Sequence, residues 1–301
     1  MTSHILRGLS CGPILFLWLC LCAQGPATAE NVKITPACKR LVSLSPSLTE
    51  TLFALGLGGQ VVGVTRYCLY PEAARTKPKV GGFFDVNYEA LISLAPTSVV
   101  ILSEDMRTHA FLKRLGLRTL TLNHRSVSGI MDSISRLEEF CGVSAQAQIL
   151  KTALQSKVET VREKAHLLPK RRTLIVVGRS STAHALASVY ISGTDGYYSE
   201  LVEIAGGRNV FKNKTANAAQ ISIEGLLALN PEVIIEIIPH LDRHGWNKAE
   251  IIQLWQELPH IAALKQGHVH VITGSWSDVP GPRFVLLLEE LLKAIHPETQ
   301  T

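Results

Sequence analysis

An internal repeat is the feature of this sequence that most constrains its fold. One copy runs from Asn87 to Ile101 and the other from Ser222 to Glu236. In each copy a helix-capping residue is followed by Glu two positions later, then by the pattern Leu-x-x-Leu-x-Pro, and then by a run rich in β-branched residues. Repeated units of this kind predict two similar lobes, and a cleft between domains is where ligands usually bind.

Short β-branched runs alternate with helical patterns in both halves of the chain, which predicts parallel α/β sheets. The first helix is predicted to open with a capping box at Ser47 and Glu50 and to close at Gly56. The predicted strands cover residues 40–45, 61–65, 98–102, 118–122, 172–177, 233–237 and 268–272. The predicted helices cover residues 87–94, 108–115, 126–141, 197–205 and 283–295.

Between the two alternating regions lies a stretch with helical character alone. Residues 144–168 contain neither Gly nor Pro, and Pro169 ends the stretch. A single helix of about 25 residues would be roughly 37 Å long and could act as a rigid spacer. The sequence therefore predicts an α/β protein with a first lobe over residues 38–143, a backbone helix over 144–168 and a second lobe over 170–297, each lobe built on a central, mostly parallel sheet.

The N-terminal segment has the pattern of a cleavable signal peptide. Arg7 is the only charged residue before Glu30, residues 14–22 are apolar, and Ala27 and Ala29 occupy the small-residue positions before the cleavage point. A membrane anchor is the alternative, but the apolar run is short of the roughly 20 residues that a spanning helix needs. We therefore expect residues 1–29 to be removed and the mature protein to reside in the periplasm.

Cysteine residues raise two further questions. Cys20 and Cys22 invite a lipoprotein interpretation, which is disfavoured because Leu precedes each of them where lipoprotein processing requires a small residue. Cys38, Cys68 and Cys141 remain after cleavage. Two of these three could pair in an oxidising compartment, or all could be buried thiols, and the sequence leaves both alternatives open.

Composition and motifs weigh against two classes of function. The chain has 30 basic and 25 acidic residues but no dense basic run, so nucleic-acid binding has weak support. The G-x-S-x-G, H-E-x-x-H and phosphate-loop motifs are all missing from the sequence, and the glycines at 56–59 end a helix instead of beginning one. We expect no catalytic residues and no enzyme activity; a secreted enzyme using the cleft and a structural adhesion module remain the alternatives from other classes.

Histidines do not predict a resident metal site. His268 and His270 share one face of a predicted strand, but zinc needs three or four ligands. His240 and His244 follow another strand, at the edge where open α/β sheets bind ligands. His124 and His184 are weaker candidates of the same kind.

Aromatic residues concentrate in predicted loops and could line a cleft for a large flat ligand. Local packing is the alternative for each of them. The loop residues are Tyr67, Tyr70, Phe83, Phe84, Trp246 and Trp276, and Tyr190 is a further candidate at a predicted strand of the second half.

Several of these segments together resemble the Fe³⁺-siderophore/haem/cobalamin class of ABC-importer binding proteins, most closely its cobalamin-binding members. The resemblance covers residues 40–297 and rests on the opening Arg40–Glu50 segment, Val80-Gly-Gly-Phe83, the two Glu-containing repeats, Ala205-Gly-Gly-x-Asn209 and Pro282-Arg283. It implies two α/β lobes on a backbone helix, a ligand held between them, and a monomer that docks onto an ABC permease dimer in the inner membrane. Glu89 and Glu224 fall on the family's docking acids; the alternative is that each only complements a helix dipole.

The same resemblance implies a non-covalently bound corrinoid as the ligand, with no covalent cofactor. The family's tryptophan near residue 218 and its disulfide near residues 205 and 292 have no counterpart here. Haem, with His240, His244 or Tyr190 as axial ligand, and a ferric siderophore held by Arg66 and Tyr67 therefore stay as alternatives. The ligand contacts that the resemblance implies are Tyr67, Phe83, Ser275, Trp276, Ser277, Asp278 and Val279.

Overall fold

The first half of the chain forms a parallel sheet whose strands alternate with helices along the sequence. The computed structural model describes residues 34–182, 185–213, 218–256, 258 and 260–300, so the predicted signal peptide lies outside the described residues. The strand order is β2-β1-β3-β4, and every neighbouring pair is parallel. The strands are β1 (Leu41–Ser43), β2 (Val61–Val64), β3 (Ser98–Leu102) and β4 (Thr119–Leu122), and the helices are α1 (Pro46–Ala54), α2 (Glu72–Arg75), α3 (Tyr88–Ser93), α4 (Met106–Arg114) and α5 (Val127–Cys141).

The second half forms a mixed sheet in the order β10-β9-β5-β6-β8, with β7 beside β5. Pairs β5–β9, β9–β10 and β5–β7 are parallel, whereas β5–β6 and β6–β8 are antiparallel. The strands are β5 (Arg171–Thr182), β6 (Ala185–Ile191), β7 (Gly207–Asn209), β8 (Ala219–Ser222), β9 (Val233–Ile237) and β10 (Val269–Ile272), and the helices are α7 (Tyr197–Ile204), α8 (Ile223–Leu229), α9 (Lys248–Gln256), α10 (Ala262–Lys265) and α11 (Phe284–Ile295).

A single long helix, α6 (Ser144–His166), runs between the two lobes, as the Gly- and Pro-free stretch predicts. Helix α11 packs along it, and Lys157 of α6 binds Glu289 of α11 at 2.7 Å. No helix among the described residues is both long and apolar enough to cross a membrane.

The repeat corresponds to equivalent elements in the two lobes. Helix α3 leads into β3 and helix α8 leads into β9, and the caps Asn87 and Ser222 each accept a hydrogen bond from the backbone N–H three residues later. Each unit then places the residue before its proline in the left-handed region, with φ of 43° at Ala95 and 39° at Asn230. Both central strands are buried at all five positions, as expected for parallel strands covered on two faces.

A disulfide joins Cys38 to Cys141, with their Cα atoms 5.3 Å apart, and Cys68 is a buried free thiol. This resolves the question that the sequence left open. The bridge ties the segment before β1 to the end of α5, so it closes the first lobe around its sheet.

The predicted capping box at the first helix is wrong. Helix α1 begins at Pro46, one residue before Ser47, and Ser45 occupies the N-cap position. Glu50 does not cap the helix start, because its buried carboxylate binds Arg283 of the second lobe. A tertiary ion pair therefore replaces the local interaction that the sequence pattern predicts.

Candidate functional site

A cavity of about 700 Å³, here called the outer chamber, lies between the two lobes. Its walls come mainly from loops that follow strands of the two sheets, which is the position where open α/β sheets bind ligands. The first lobe contributes Pro46, Glu50, Tyr67, Leu69, Tyr70 and Arg75, and the second contributes His240, Arg243, Ser275, Asp278 and Arg283.

The wall from the first lobe is aromatic and accessible. Tyr67 is 56% exposed and Tyr70 is 48% exposed, with Leu69 between them. Exposed apolar side chains that lie next to one another, and not scattered singly, often mark a ligand or partner site. This wall can stack against a flat apolar face.

One cross-lobe contact fixes the position of this wall. Arg283 donates from Nε to Glu50 Oε2 at 2.8 Å and from Nη2 to Glu50 Oε1 at 2.5 Å. The Arg283 Cζ atom also lies 3.8 Å from the centre of the Tyr70 ring. Burial raises the pKa of Glu50, although the neighbouring guanidinium opposes that effect. The sequence places Glu50 and Arg283 in separate motifs and gives no signal that they pair.

The loop between β10 and α11 contributes fewer chamber residues than the resemblance implies. Ser275 and Asp278 line the outer chamber. Trp276 lies against its own loop, where a Cβ built on Gly274 would be 2.3 Å from the indole. Ser277 is buried: its hydroxyl donates to the Gly274 carbonyl at 2.7 Å and its carbonyl accepts from the Tyr198 hydroxyl. Val279 is half-buried beside them.

Phe83 lies beside the chamber and not in the described wall. It packs edge-to-face on Phe84, with ring centres 4.9 Å apart, in a turn closed by Gly81 and Val86. The turn approaches Tyr67, because a Cβ on Gly82 would lie 3.2 Å from that ring. Phe84, in the same turn, is 95% exposed, so the turn extends the aromatic surface outside the chamber.

Two of the other sequence candidates have defined positions. His240 lines the outer chamber from the loop after β9 and adopts a left-handed φ of 57°, which is unusual for a residue other than Gly. Tyr190 lies on β6, is 37% exposed and does not belong to the lining residues of the outer chamber. The side chain of His244 and all of His184 lie outside what the structure describes.

Asp278 also lines a second, smaller cavity of about 220 Å³, here called the inner chamber. Glu104, His124 and Arg125 come to it from the first lobe, and Tyr197 and Tyr198 come from the start of α7. Partial burial raises the pKa of Asp278, whereas a backbone hydrogen bond, His240 and Arg283 lower it. Asp278 is therefore part of the wall of both chambers.

The two predicted docking acids lie outside both chambers. Glu89 and Glu224 are each the second residue of an equivalent helix, α3 and α8, and both are exposed. A hydrogen bond from Ser222 lowers the pKa of Glu224. The described residues contain no group of three or more His, Cys, Asp or Glu side chains that could hold a metal ion.

Comparison with known proteins follows this geometry. Residues 41–275 match the family model for periplasmic binding proteins. The chain is 30% identical over 278 residues to an uncharacterised ABC transporter substrate-binding lipoprotein, YvrC, of Bacillus subtilis, covering 91% of this chain and 85% of the relative. It is 28% identical over 260 residues to the vitamin B12-binding protein of Vibrio vulnificus, covering 84% of this chain and 88% of that one.

Two solved structures share the fold. The periplasmic vitamin B12 binding protein BtuF of Vibrio cholerae matches with a TM-score of 0.73 and 22% identity, covering 87% of this chain and 98% of that one. A periplasmic haem binding protein of Pseudomonas aeruginosa matches with a TM-score of 0.71 and 22% identity, covering 86% of this chain and 93% of that one. At these identities the likeness establishes the fold alone.

Proposed function

Since the chain belongs to the periplasmic binding protein family, we propose that it captures a corrinoid between its two lobes and delivers it to an ABC permease. Membership of this family makes the chain a solute-binding component of an importer of the siderophore, haem and cobalamin class, and not an enzyme. The identity of the ligand as a corrinoid is the more specific part of the proposal. It is supported by relatives named vitamin B12-binding protein and by the chemistry of the outer chamber.

The outer chamber carries the proposal, because it combines an aromatic wall with nearly balanced charge. Tyr67 and Tyr70 provide stacking surface on one side, and His240 and Asp278 provide polar groups on the other. Arg283 is neutralised by Glu50, which leaves Arg75 and Arg243 as the other cations of the wall. Arg75 is itself bound to Glu72. A large, flat ligand without strong net charge fits these walls better than a multiply anionic one.

Haem is a second candidate because of one specific observation. His240 holds an imidazole in the chamber wall on a strained backbone, and such strain is concentrated at functional sites. A neutral imidazole is a common ligand for metals. The siderophore alternative has less support, because Arg66, which the sequence offers for an anionic chelate, is bound to Asp85 at 2.6 Å.

A competition experiment separates these ligands. Purified protein is first examined for copurified visible absorbance and then titrated with cyanocobalamin, haemin and a ferric siderophore. The proposal expects saturable binding of cyanocobalamin that the other two compounds displace only at higher concentration. Preference for haemin, lost in His240→Ala, would replace the corrinoid by the haem alternative. The absence of binding to all three would reject the proposed ligand class.

Export and docking complete the proposal. We infer that residues 1–29 are cleaved and that the mature monomer works in the periplasm, with Glu89 and Glu224 facing the permease dimer. The Bacillus relative is named a lipoprotein, whereas a Leu precedes each early Cys here. Mass spectrometry of the mature protein tests this step: an N-terminus at Glu30 supports cleavage, and a lipidated Cys20 or Cys22 would show membrane anchoring instead.

A further inference from the structure

The inner chamber contains two buried polar side chains, His124 and Tyr197, that are not well paired by the described residues. The Pro280 carbonyl lies close enough to the His124 ring to raise its pKa slightly, but neither ring nitrogen of His124 makes a hydrogen bond of good geometry, and neither does the hydroxyl of Tyr197. His124 is 1% exposed and Tyr197 is 7% exposed. Buried polar atoms are almost always paired, and leaving one unpaired costs roughly as much as a lost hydrogen bond. Two such groups lining one cavity indicate that the cavity takes a polar occupant.

The two groups face the chamber from different lobes. His124 lies in the segment between β4 and α5, and Tyr197 is the first residue of α7. A cross-lobe hydrogen bond holds these segments together: the Val127 N–H at the start of α5 donates to Glu200 of α7 at 2.6 Å. One occupant bound to both His124 and Tyr197 would therefore bridge the lobes at a junction that is already in contact.

The chemistry of the walls selects the kind of group. Burial lowers the pKa of His124 to about 4, so at neutral pH its imidazole offers one donor and one acceptor. The Tyr197 hydroxyl likewise both donates and accepts. A carboxylate only accepts and an ammonium only donates, so each would leave wall atoms unpaired. A primary amide carries both N–H and C=O groups and can pair with both side chains.

The rim of the chamber adds a charge argument against anions. Glu104, Asp195 and Asp278 are exposed carboxylates around the chamber, and Arg125 is the one exposed cation among its described lining residues. This excess of negative charge repels a ligand carboxylate and tolerates a neutral group.

We propose that the inner chamber is a subsite for a neutral primary-amide arm of the ligand whose body occupies the outer chamber. The proposal rests on the proposed function and deepens it, because Asp278 lines both chambers and the two cavities are therefore neighbours. An amide-decorated corrinoid has such arms, whereas a chelate whose arms end in carboxylates does not.

A single hydroxyl deletion tests the subsite in the whole protein. Tyr197→Phe removes the unpaired hydroxyl, so the melting temperature without ligand should stay level or rise, while cyanocobalamin binding should weaken by about threefold to tenfold, the value of one net hydrogen bond. Tyr88→Phe is the matched control, because Tyr88 packs on Phe111 in the first lobe, away from both chambers. Unchanged affinity in Tyr197→Phe, with wild-type binding intact, would reject the subsite and leave the proposed function standing.

A second measurement does not depend on the natural ligand. The imidazole signals of His124 are followed by NMR while propionamide or sodium propionate is added to the wild-type protein at equal concentration and pH. Propionamide should shift the His124 signals saturably, and propionate should not. Equal responses to both compounds, or a response to propionate alone, would overturn the amide assignment. No response to either compound would overturn the subsite. Because neither probe is the natural ligand, these outcomes do not depend on whether the protein carries a corrinoid or haem.

Discussion

The buried carboxylate of Glu50, in the first lobe, forms a two-point ion pair with the guanidinium of Arg283, in the second. The same guanidinium stacks on Tyr70, whose ring forms part of the outer chamber wall. One arginine thus connects the lobes to each other and to the proposed ligand surface. The orientation of the cleft wall depends on a contact between residues that are far apart in sequence.

We predict that Glu50→Ala destabilises the protein by about 3–5 kcal/mol, because it leaves the Arg283 charge buried without its partner. Urea unfolding of both proteins measures the difference. Glu72→Ala is the control, since it breaks an exposed pair with Arg75 and should cost less than about 1 kcal/mol. A loss in Glu50→Ala no larger than in Glu72→Ala would show that the cross-lobe pair does not stabilise the fold.

The neutral state of His124 predicts a dependence of stability on pH. Burial lowers its pKa from 6.5 to about 4, so the folded state favours the uncharged ring. This contribution is fully present above pH 6.5 and is lost as the pH falls towards 4, where the unfolded chain binds the proton first. The free energy of unfolding should fall by up to about 3 kcal/mol over that range from this residue.

Urea titrations at pH 7 and pH 4.5 measure this effect. His124→Asn should reduce the difference between the two values, because the titrating group is removed. The same difference in the variant as in the wild type would assign the pH dependence to other groups.

Tyr67 and Trp276 should respond differently to truncation. Tyr67 is an exposed part of the chamber wall, so Tyr67→Ala should weaken cyanocobalamin binding by about tenfold with little change in melting temperature. Trp276 packs on its own loop at Gly274, so Trp276→Ala should lower the melting temperature and reduce affinity less. Paired calorimetric and thermal measurements test both statements. The reverse pattern would show that Trp276 turns into the cleft when ligand binds.

Reversal of the two docking acids should separate delivery from binding. We propose that Glu89 and Glu224 dock onto basic groups of the permease. Glu89→Arg with Glu224→Arg replaces that attraction by repulsion, so uptake in reconstituted vesicles should be lost. Ligand affinity should be unchanged, because neither residue lines a chamber. Glu139→Arg with Glu163→Arg, at two other exposed positions, is the control for net charge. Normal uptake by the Glu89 and Glu224 variant would leave these residues as helix-start acids.

Sequence analysis predicted the architecture from features that act locally. The repeat predicted that α3 and β3 in the first lobe are equivalent to α8 and β9 in the second. The Gly- and Pro-free stretch predicted α6 to within two residues of its end. The antiparallel part of the second sheet was missed because β5 runs on to Thr182 through Gly178, Arg179 and Ser180, which lack an apolar pattern. Tertiary pairing, and not local preference, extends that strand.

The site was harder to predict, because it depends on which loops meet. Tyr67, Ser275 and Asp278 line the outer chamber, whereas Trp276 and Ser277 are held within their own loop. The local pattern predicted that Glu50 caps a helix. Its actual partner, Arg283, is 233 residues away in sequence, so no local pattern indicates the pair. His124 and Tyr197 come together only through the contact between α5 and α7, and nothing in either local sequence indicates that their polar atoms lack partners.

Calorimetric titration with cyanocobalamin tests the central claim most directly. Two lobes that enclose one cleft should bind one ligand per chain, with the titration saturating at a ratio of one. The Tyr67→Ala variant should keep that ratio while its affinity falls. Two independent sites per chain, or an affinity that Tyr67→Ala leaves unchanged, would contradict the proposal that the ligand is held between the lobes.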